Sequence, residues 1–347
     1  MRKETNIKNI LVTGGAGYIG SHTCVELINS GYNVIVVDNL VNGNIQALKR
    51  IENLTNKDIT FFEVDLRDRK ALDNVFNKIK IDSIIHCAGY KAVGESVENP
   101  LLYYSNNVSA SVNLLEVMKI HNVKNIVFSS SCTVYGKPDS VPVKEDQELK
   151  PTNPYGRSKL MVEQILNDFH RSNANLSVSI LRYFNPIGAH PSGIIGEDPR
   201  GIPNNLLPYV SKVAIGELDE LQIFGSDYNT KDGTGVRDYL HVVDLANAHI
   251  KALEELMAHD KLMEIYNLGT GQGYSVLDIV KTFEKVSQKK VKFRMVERRP
   301  GDVDKTYADP SKANEKLNWF AEKDLDDMCT DIWNWQMKNP NGYKYEK

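Results

Sequence analysis

The 347-residue chain is short of the features that mark secreted, membrane-spanning or nucleic-acid-binding proteins. Its four cysteines, Cys24, Cys87, Cys132 and Cys329, are scattered, with no Cys-x-x-Cys pair. That argues against a disulfide framework or a zinc site, leaves no metal site to expect, and points to a reducing cytoplasm. No apolar run is long enough to cross a bilayer. Met1–Asn9 is polar and lacks the apolar core of a signal peptide. There is no run of basic residues, and 42 Lys and Arg against 45 Asp and Glu give a formal net charge of −3. Nucleic acid and anionic membrane are therefore poor partners. Internal repeats and low-complexity stretches are missing too. Hydrophobic content of 41% and charged content of 25% are those of an ordinary globular enzyme. The length suits one large or two modest domains.

What is present begins at Asn9–Asp38. Ile10, Leu11 and Val12 read as a strand buried on both faces. Gly14, Gly17 and Gly20 follow at G-x-x-G-x-x-G spacing, then a helix over Tyr18–Asn29 stopped by Gly31. Val34–Val37 is a second buried strand with Asp38 at its carboxyl end. Glycines let a pyrophosphate approach the backbone, and the new helix offers it unpaired N–H groups and a positive dipole end. The acid about twenty residues on can accept from a ribose diol. This strand–turn–helix context is what separates a dinucleotide fingerprint from a mere glycine turn. Asp38 also selects between cofactors. NADP places a phosphate where the carboxylate sits, and two unit charges at 4 Å repel by about 4 kcal/mol at an effective dielectric of 20. NAD is expected.

Strands and helices keep alternating. Ile59–Val64 is a strand ending at Asp65, Lys70–Ile79 a helix and Ser83–Cys87 a strand. A long helix runs from Pro100 to about His121, followed by strand Asn125–Ser129, helix Pro154–Arg171 and strand Ser177–Phe184. The series predicts an α/β fold: a Rossmann-type doubly wound parallel sheet with helices on both faces. Ligands in such sheets sit at the strands' carboxyl ends, and the polar and glycine clusters all fall on that rim. From Pro186 the texture becomes Gly-, Pro- and Asn-rich, as in a substrate-binding loop. Ser226–Arg237 is a second polar loop. A short strand and helix over Tyr239–Leu256, strand Ile265–Leu268, helix Val276–Val286, strand Val291–Met295 and a helical tail to about Met337 complete the chain. The expected division is an NAD-binding domain over 1–185, to which the chain returns around 240–270. A smaller α/β substrate domain takes 186–239 and 271–347.

Tyr155-Gly-Arg-Ser-Lys159 opens a helix, and a spacing of four puts both side chains on one face. For tyrosine to act as a base at pH 7 its pKa must fall by about three, roughly 4 kcal/mol. One close ammonium in a partly dry site supplies about that much. The pair alone is a weak signal; its position after a nucleotide-type half and the strand ending Ser129-Ser130-Ser131 gives it weight. Ser131 is a candidate third member, able to bridge substrate and phenol, while one or two of these serines cap a turn.

With these residues in view the sequence resembles the extended short-chain dehydrogenase/reductase superfamily. Lys91–Ser96, Ser129–Gly136, Leu181–Asn185, Gly188–Pro191, Gly201–Leu206 and Gly233–His241 narrow the resemblance to the UDP-glucose 4-epimerase family, over about Asn9–Tyr343. The resemblance implies tightly held NAD and reversible C4 epimerisation of UDP-galactose and UDP-glucose through a transient 4-keto sugar that rotates about its pyrophosphate. It implies Tyr155 as base, Lys159 as its tuner and a ribose contact, and Ser131 as relay. Gly14, Gly17, Tyr18, Ile19, Gly20, Asp38, Asn39, Asn42, Asp65, Leu66, Ala88, Lys91, Asn106, Ser129, Tyr155, Lys159 and Phe184 are then expected to line the cofactor. Ser131, Tyr155, Asn185, Asn205, Leu206, Phe224, Arg237, Tyr239, Arg299 and Asp302 are expected around the UDP-sugar. Thr306 takes the place of a variable residue by the sugar. A small side chain there is associated with acceptance of UDP-N-acetylglucosamine and UDP-N-acetylgalactosamine, unless Tyr307 fills the space or Thr306 faces solvent. A homodimer is implied through helices near Pro100–His121 and Pro154–Arg171.

Three other readings share parts of this pattern. A sugar-nucleotide 4,6-dehydratase keeps the Tyr/Lys pair but needs an Asp-Glu pair where this chain has Cys132-Thr133, which cannot do that acid–base work at neutral pH. An NAD-sensing regulator has no need of Tyr155 and Lys159 in register. A plain alcohol dehydrogenase exchanges its cofactor, whereas an epimerase purifies with NAD attached.

Overall fold

The structure, a computed structural model, describes residues 7–199, 201, 203, 205–299 and 302–343. Most of the polar lead Met1–Asn9, and Gly301 beside the variable-residue segment, lie outside the described residues.

The first half of the chain lays down β1 (Asn9–Thr13), α1 (Tyr18–Asn29), β2 (Asn33–Asp38), α2 (Ile45–Thr55), β3 (Thr60–Glu63), α3 (Arg69–Lys78) and β4 (Ser83–His86). Then come α4 (Val93–Glu98), α5 (Pro100–Tyr103), a π-helical turn over Tyr104–Ser109, α6 (Ala110–Ile120), β5 (Asn125–Ser129), a 3-10 turn over Cys132–Tyr135, α7 (Pro154–Ser172) and β6 (Ser177–Tyr183). The second half supplies β7 (Asn185–Ile187), α8 (Leu206–Ala214), β8 (Leu221–Phe224), β9 (Val236–Arg237), β10 (Tyr239–His241), α9 (Val242–Ala258) and β11 (Met263–Leu268). It ends with β12 (Tyr274–Ser275), α10 (Val276–Ser287), β13 (Phe293–Val296), β14 (Lys305–Thr306), α11 (Ser311–Leu317) and α12 (Leu325–Lys338).

Seven strands form one sheet in the order β11-β6-β5-β4-β1-β2-β3, with parallel registers from β3 through β6. This is the expected doubly wound parallel sheet. Ile10, Leu11 and Val12 are fully buried at its centre. The strand order reverses on either side of β1, and ligands in such sheets bind at the switch point, here the carboxyl ends of β1 and β4.

The chain separates into two compact units. One comprises 1–130, 153–181 and 246–265; the other comprises 131–152, 182–245 and 266–347. The first packs Leu11, Ile35, Ile84, Leu114, Phe128 and Val178 into one apolar core. The second has its own, built on Leu207, Ile223, Ile279, Phe283, Met328 and Ile332. In the second unit α10 and α12 each begin with a reciprocal capping box, Ser275 with Asp278 and Asp324 with Asp327.

Helices depart from the sequence reading in two ways. α4 and α8 are not among the elements read from the sequence, and neither is α2. Its signals are Asn44, which caps it by accepting from the Gln46 N–H at 3.0 Å, and the buried Leu48 and Ile51 one turn apart. The single helix expected over Pro100–His121 is broken by the π turn. Asn107 lies within that turn. Its side chain accepts from the Tyr90 N–H at 2.8 Å and donates to the Tyr90 carbonyl and the Ser158 hydroxyl, both at 3.0 Å. Single π turns inside helices are frequent at functional sites.

Candidate active site

In the first unit the glycine turn is built by backbone crowding. Gly14 has φ of +72°, and a Cβ on it would stand 2.8 Å from the Ala88 nitrogen. A Cβ on Gly20 would stand 2.2 Å from the Gly14 carbonyl oxygen. The turn therefore lies against the segment after β4, and α1 starts hard against the turn. Gly17 caps α1 with no side-chain bond, and there is no acid in the first turn. The positive end of the helix dipole therefore meets no side-chain cap or acid and favours an anion. Asp38 is 8% exposed, and its carboxylate accepts from the N–H groups of Ala16 at 3.1 Å and Leu40 at 2.8 Å. Burial raises its pKa, against the pull of those two donors. The cradle, the positive helix end and the oriented acid fit a dinucleotide.

Other predicted cofactor residues fall in pairs around this turn. Asn39 donates to Asp65 at 3.0 Å, and Arg67 grips the same carboxylate at 2.7 Å, holding its pKa far below the ordinary range. Lys91 lies over the Tyr18 ring at 5.6 Å. Leu66 is buried, Ile19 half-buried and Asn42 exposed, while Asn106 donates to Asn107 at 3.2 Å. Phe184 is buried in the second unit, where its N–H donates to the Leu268 carbonyl.

Tyr155 and Lys159 stand on the buried face of α7, 6% and 4% exposed. Asn153 caps the helix and Pro154 occupies its first turn, so Tyr155 is fixed at the helix entrance. The Lys159 ammonium donates to the Ser129 carbonyl at 2.8 Å and lies 4.8 Å over the Phe128 ring. Burial brings its pKa down to about 8. Sequence reasoning missed the groups that complete this neighbourhood: Asn107, His249, whose Nε2 bonds the Ser129 hydroxyl at 2.6 Å, and Glu163, which accepts from Ser130 at 2.5 Å. Only Glu163 carried a signal, being a further turn along the Tyr155–Lys159 face.

In the second unit Ser131 caps the 3-10 turn. Its oxygen accepts from the Thr133 N–H at 3.2 Å and the Thr133 hydroxyl at 2.9 Å. The Cys132 thiol is pushed up to about 12 by burial, so it offers no acid–base chemistry near pH 7. Asp302 joins two of the predicted arginines, at 3.5 Å from Arg237 and 3.1 Å from Arg299, and Arg299 stacks 4.8 Å over the Phe224 ring. Two guanidinium groups sharing one carboxylate leave a positive site suited to a diphosphate. Asn185 and Tyr239 face each other in the β7–β10 pair, and burial pushes the Tyr239 phenol up to about 12, which keeps it a donor. Asn205, at the start of α8 beside Leu206, donates to Glu197 at 2.7 Å. Thr306 is half-buried and in register with Arg237 in the β14–β9 pair. The Tyr307 ring lies against Gly273, where an added Cβ would come within 3.2 Å of it.

A sheet switch point with a glycine cradle and a buried Tyr-x-x-x-Lys helix defines the class: a nicotinamide-dependent enzyme of the extended short-chain dehydrogenase/reductase type. The model of a family described as GDP-mannose 4,6 dehydratase matches residues 11–332. A UDP-glucose 4-epimerase of Bacillus subtilis is 60% identical, the match covering 96% of this chain and 98% of the relative. The crystal structure of the Bifidobacterium longum UDP-glucose 4-epimerase in complex with NAD+ and UDP is similar, with a TM-score of 0.93, 52% identity, and coverage of 96% of this chain and 100% of that one. The UDP-Glc/GlcNAc 4-epimerase of Campylobacter jejuni is similar with a TM-score of 0.83 and 37% identity, over 95% and 99% of the two chains. The chain belongs to the UDP-glucose 4-epimerase family.

Proposed function

We propose that the chain interconverts UDP-galactose and UDP-glucose by inverting C4 through a transient 4-keto sugar, with NAD as its resident cofactor. The observation that carries this reading is the buried Tyr155–Lys159 face, its ammonium anchored 2.8 Å from the Ser129 carbonyl, in a chain 60% identical to an epimerase. Gly14, Gly17, Gly20, Asp38 and Lys159 would hold the dinucleotide. When bound, NAD supplies the oxidising equivalent that makes C4 a ketone and afterwards restores it. Tyr155 takes the proton from the 4-hydroxyl and gives it back, while Lys159 favours its phenolate and Ser131 orders the transfer. Arg237 and Arg299 hold the diphosphate, about which the keto sugar turns.

The dehydratase reading is disfavoured by Cys132-Thr133, since neither group moves protons at C5 and C6 near neutral pH. Incubating the purified protein with UDP-galactose, without added NAD, decides between the two. UDP-glucose supports the epimerase; a 4-keto-6-deoxy product, or none, refutes it.

The reading carries two corollaries. A cytoplasmic location suits four free thiols, and fractionation of the source cells tests it. No helix among the described residues is long and apolar enough to cross a membrane. A homodimer suits the exposed Val97 and Leu101 on α4 and α5 and Met161 on α7, and a solution mass of one chain would refute it.

Two specificities follow from placement. Asp38 should make the apoprotein bind NAD well ahead of NADP; equal affinities by titration would mean the carboxylate does not meet the ribose. Thr306, beside Arg237 and without an aromatic ring, leaves room for an acetamido group. UDP-N-acetylglucosamine should therefore be epimerised as well, and Thr306→Tyr should suppress that reaction alone. Overpacking a tight site costs about 1–3 kcal/mol, so roughly 5- to 150-fold selectivity is expected. An unmodified enzyme that turns over UDP-galactose but not the acetylated sugar removes Thr306 from this role.

A further inference from the structure

Tyr155, Lys159 and Glu163 recur every four residues along the buried face of α7, and Glu163 is itself only 4% exposed. A glutamate is almost never buried to that extent unless it is paired. Glu163 accepts from the Ser130 hydroxyl at 2.5 Å, and Ser130 adjoins Ser129, whose carbonyl anchors the Lys159 ammonium at 2.8 Å. The same carboxylate stands one helical turn from Lys159, the separation at which opposite charges support each other.

We propose that Glu163 is a positioning residue for Lys159, its buried carboxylate keeping the ammonium charged and, through Ser130, keeping its carbonyl anchor in place. The inference rests on the Tyr155–Lys159 chemistry proposed above. The groups around Lys159 bear it out. From the end of β4 comes His86, held neutral by burial at a pKa of about 3, and from just after it Cys87, its thiol raised to about 11. From β5 come the Ser129 carbonyl and the Phe128 ring, and from α9 His249 by way of the Ser129 hydroxyl. Along α7 stand Tyr155 and Glu163. Burial works against the ammonium, while Cys87 and Glu163 work for it. Since Cys87 stays a thiol near neutral pH, Glu163 is the carboxylate at hand.

The test uses the full-length enzyme with its cofactor. Lys159 is followed directly by NMR of 15N-lysine-labelled protein, its signal assigned with Lys159→Met, and kcat and KM are measured against pH. Glu163→Gln keeps the size and an acceptor for Ser130 but removes the charge. Its Lys159 titration, and the alkaline limb of kcat, should move down by about one pH unit or more with KM for the UDP-sugar little changed. Glu163→Asp, with its charge on a shorter stem, should fall between the two. A Lys159 titration unchanged in Glu163→Gln overturns the proposal, as does one in Glu163→Asp as low as in Glu163→Gln. If Glu163→Gln does not fold, an unchanged titration in Glu163→Asp overturns it. A titration that moves while the kcat profile stays put also overturns the positioning role and leaves the epimerase reading intact. A wild type that leaves UDP-galactose unchanged sinks that reading instead.

Discussion

Tyr155→Phe should fold, retain NAD and turn over UDP-galactose at least about 100-fold more slowly, the usual loss when a positioned general base is removed. The structure explains why the fold should tolerate it. Tyr155 is buried, with its ring edge-on to Tyr103 at 6.5 Å between centroids. Phenylalanine keeps that packing and removes only the oxygen. KM should change less than kcat, because the lost proton transfer belongs to the transition state. Unfolding temperature and cofactor content serve as controls. A variant within a few-fold of wild-type kcat takes Tyr155 out of the mechanism.

The second large effect is a divergence between activity and stability at Lys159. Lys159→Met, or Lys159→Ala, should lose most activity and raise the apparent pKa of whatever rate remains, since the phenolate loses its neighbouring charge. An unchanged profile in a still active variant would mean the ammonium does not tune the phenol. Stability should move the other way in Lys159→Met. Burial lowers the lysine's pKa from 10.5 to about 8, so the folded chain binds fewer protons than the unfolded chain between those values. Stability of the wild type therefore rises with pH through that window, and below it the folded state bears the full penalty. A drop of that size corresponds to about 3 kcal/mol, less what is lost with the Ser129 hydrogen bond. Lys159→Met should unfold at a higher temperature than wild type at pH 7, at fixed cofactor concentration, and the gap should close towards pH 10. A variant less stable than wild type at both pH values would show that the ammonium's contacts outweigh its desolvation.

Much of the fold could be read from sequence because its elements are marked locally. β1, β2 and β4 are runs of Ile, Leu and Val, as buried parallel strands must be, and α1 is bracketed by glycines. The rim of the sheet followed from that alternation, which is why Asp38 and Ser129 could be singled out, while Lys159 was marked by its spacing of four from Tyr155. Tertiary demands were harder to see. Asn107 looks like any polar residue in a helix until Tyr90 and Ser158 are seen to need its amide. His249 meets Ser129 across 120 residues of chain, and no spacing rule connects them. In the second unit Arg237 and Arg299 were named from resemblance alone; their sharing of Asp302 became visible only in three dimensions.

The π turn at Tyr104–Ser109 acts as a vernier between two helices. Each residue of an α-helix turns the chain through about 100°, so one surplus residue re-phases everything after it. Tyr103 of α5 is buried ahead of the turn, and Ala110, Leu114 and Met118 of α6 are buried after it. Residues before and after the turn must therefore be counted in separate frames. Grafting a straight helix across this stretch would repair the local backbone and yet leave one of the two stripes facing the wrong way.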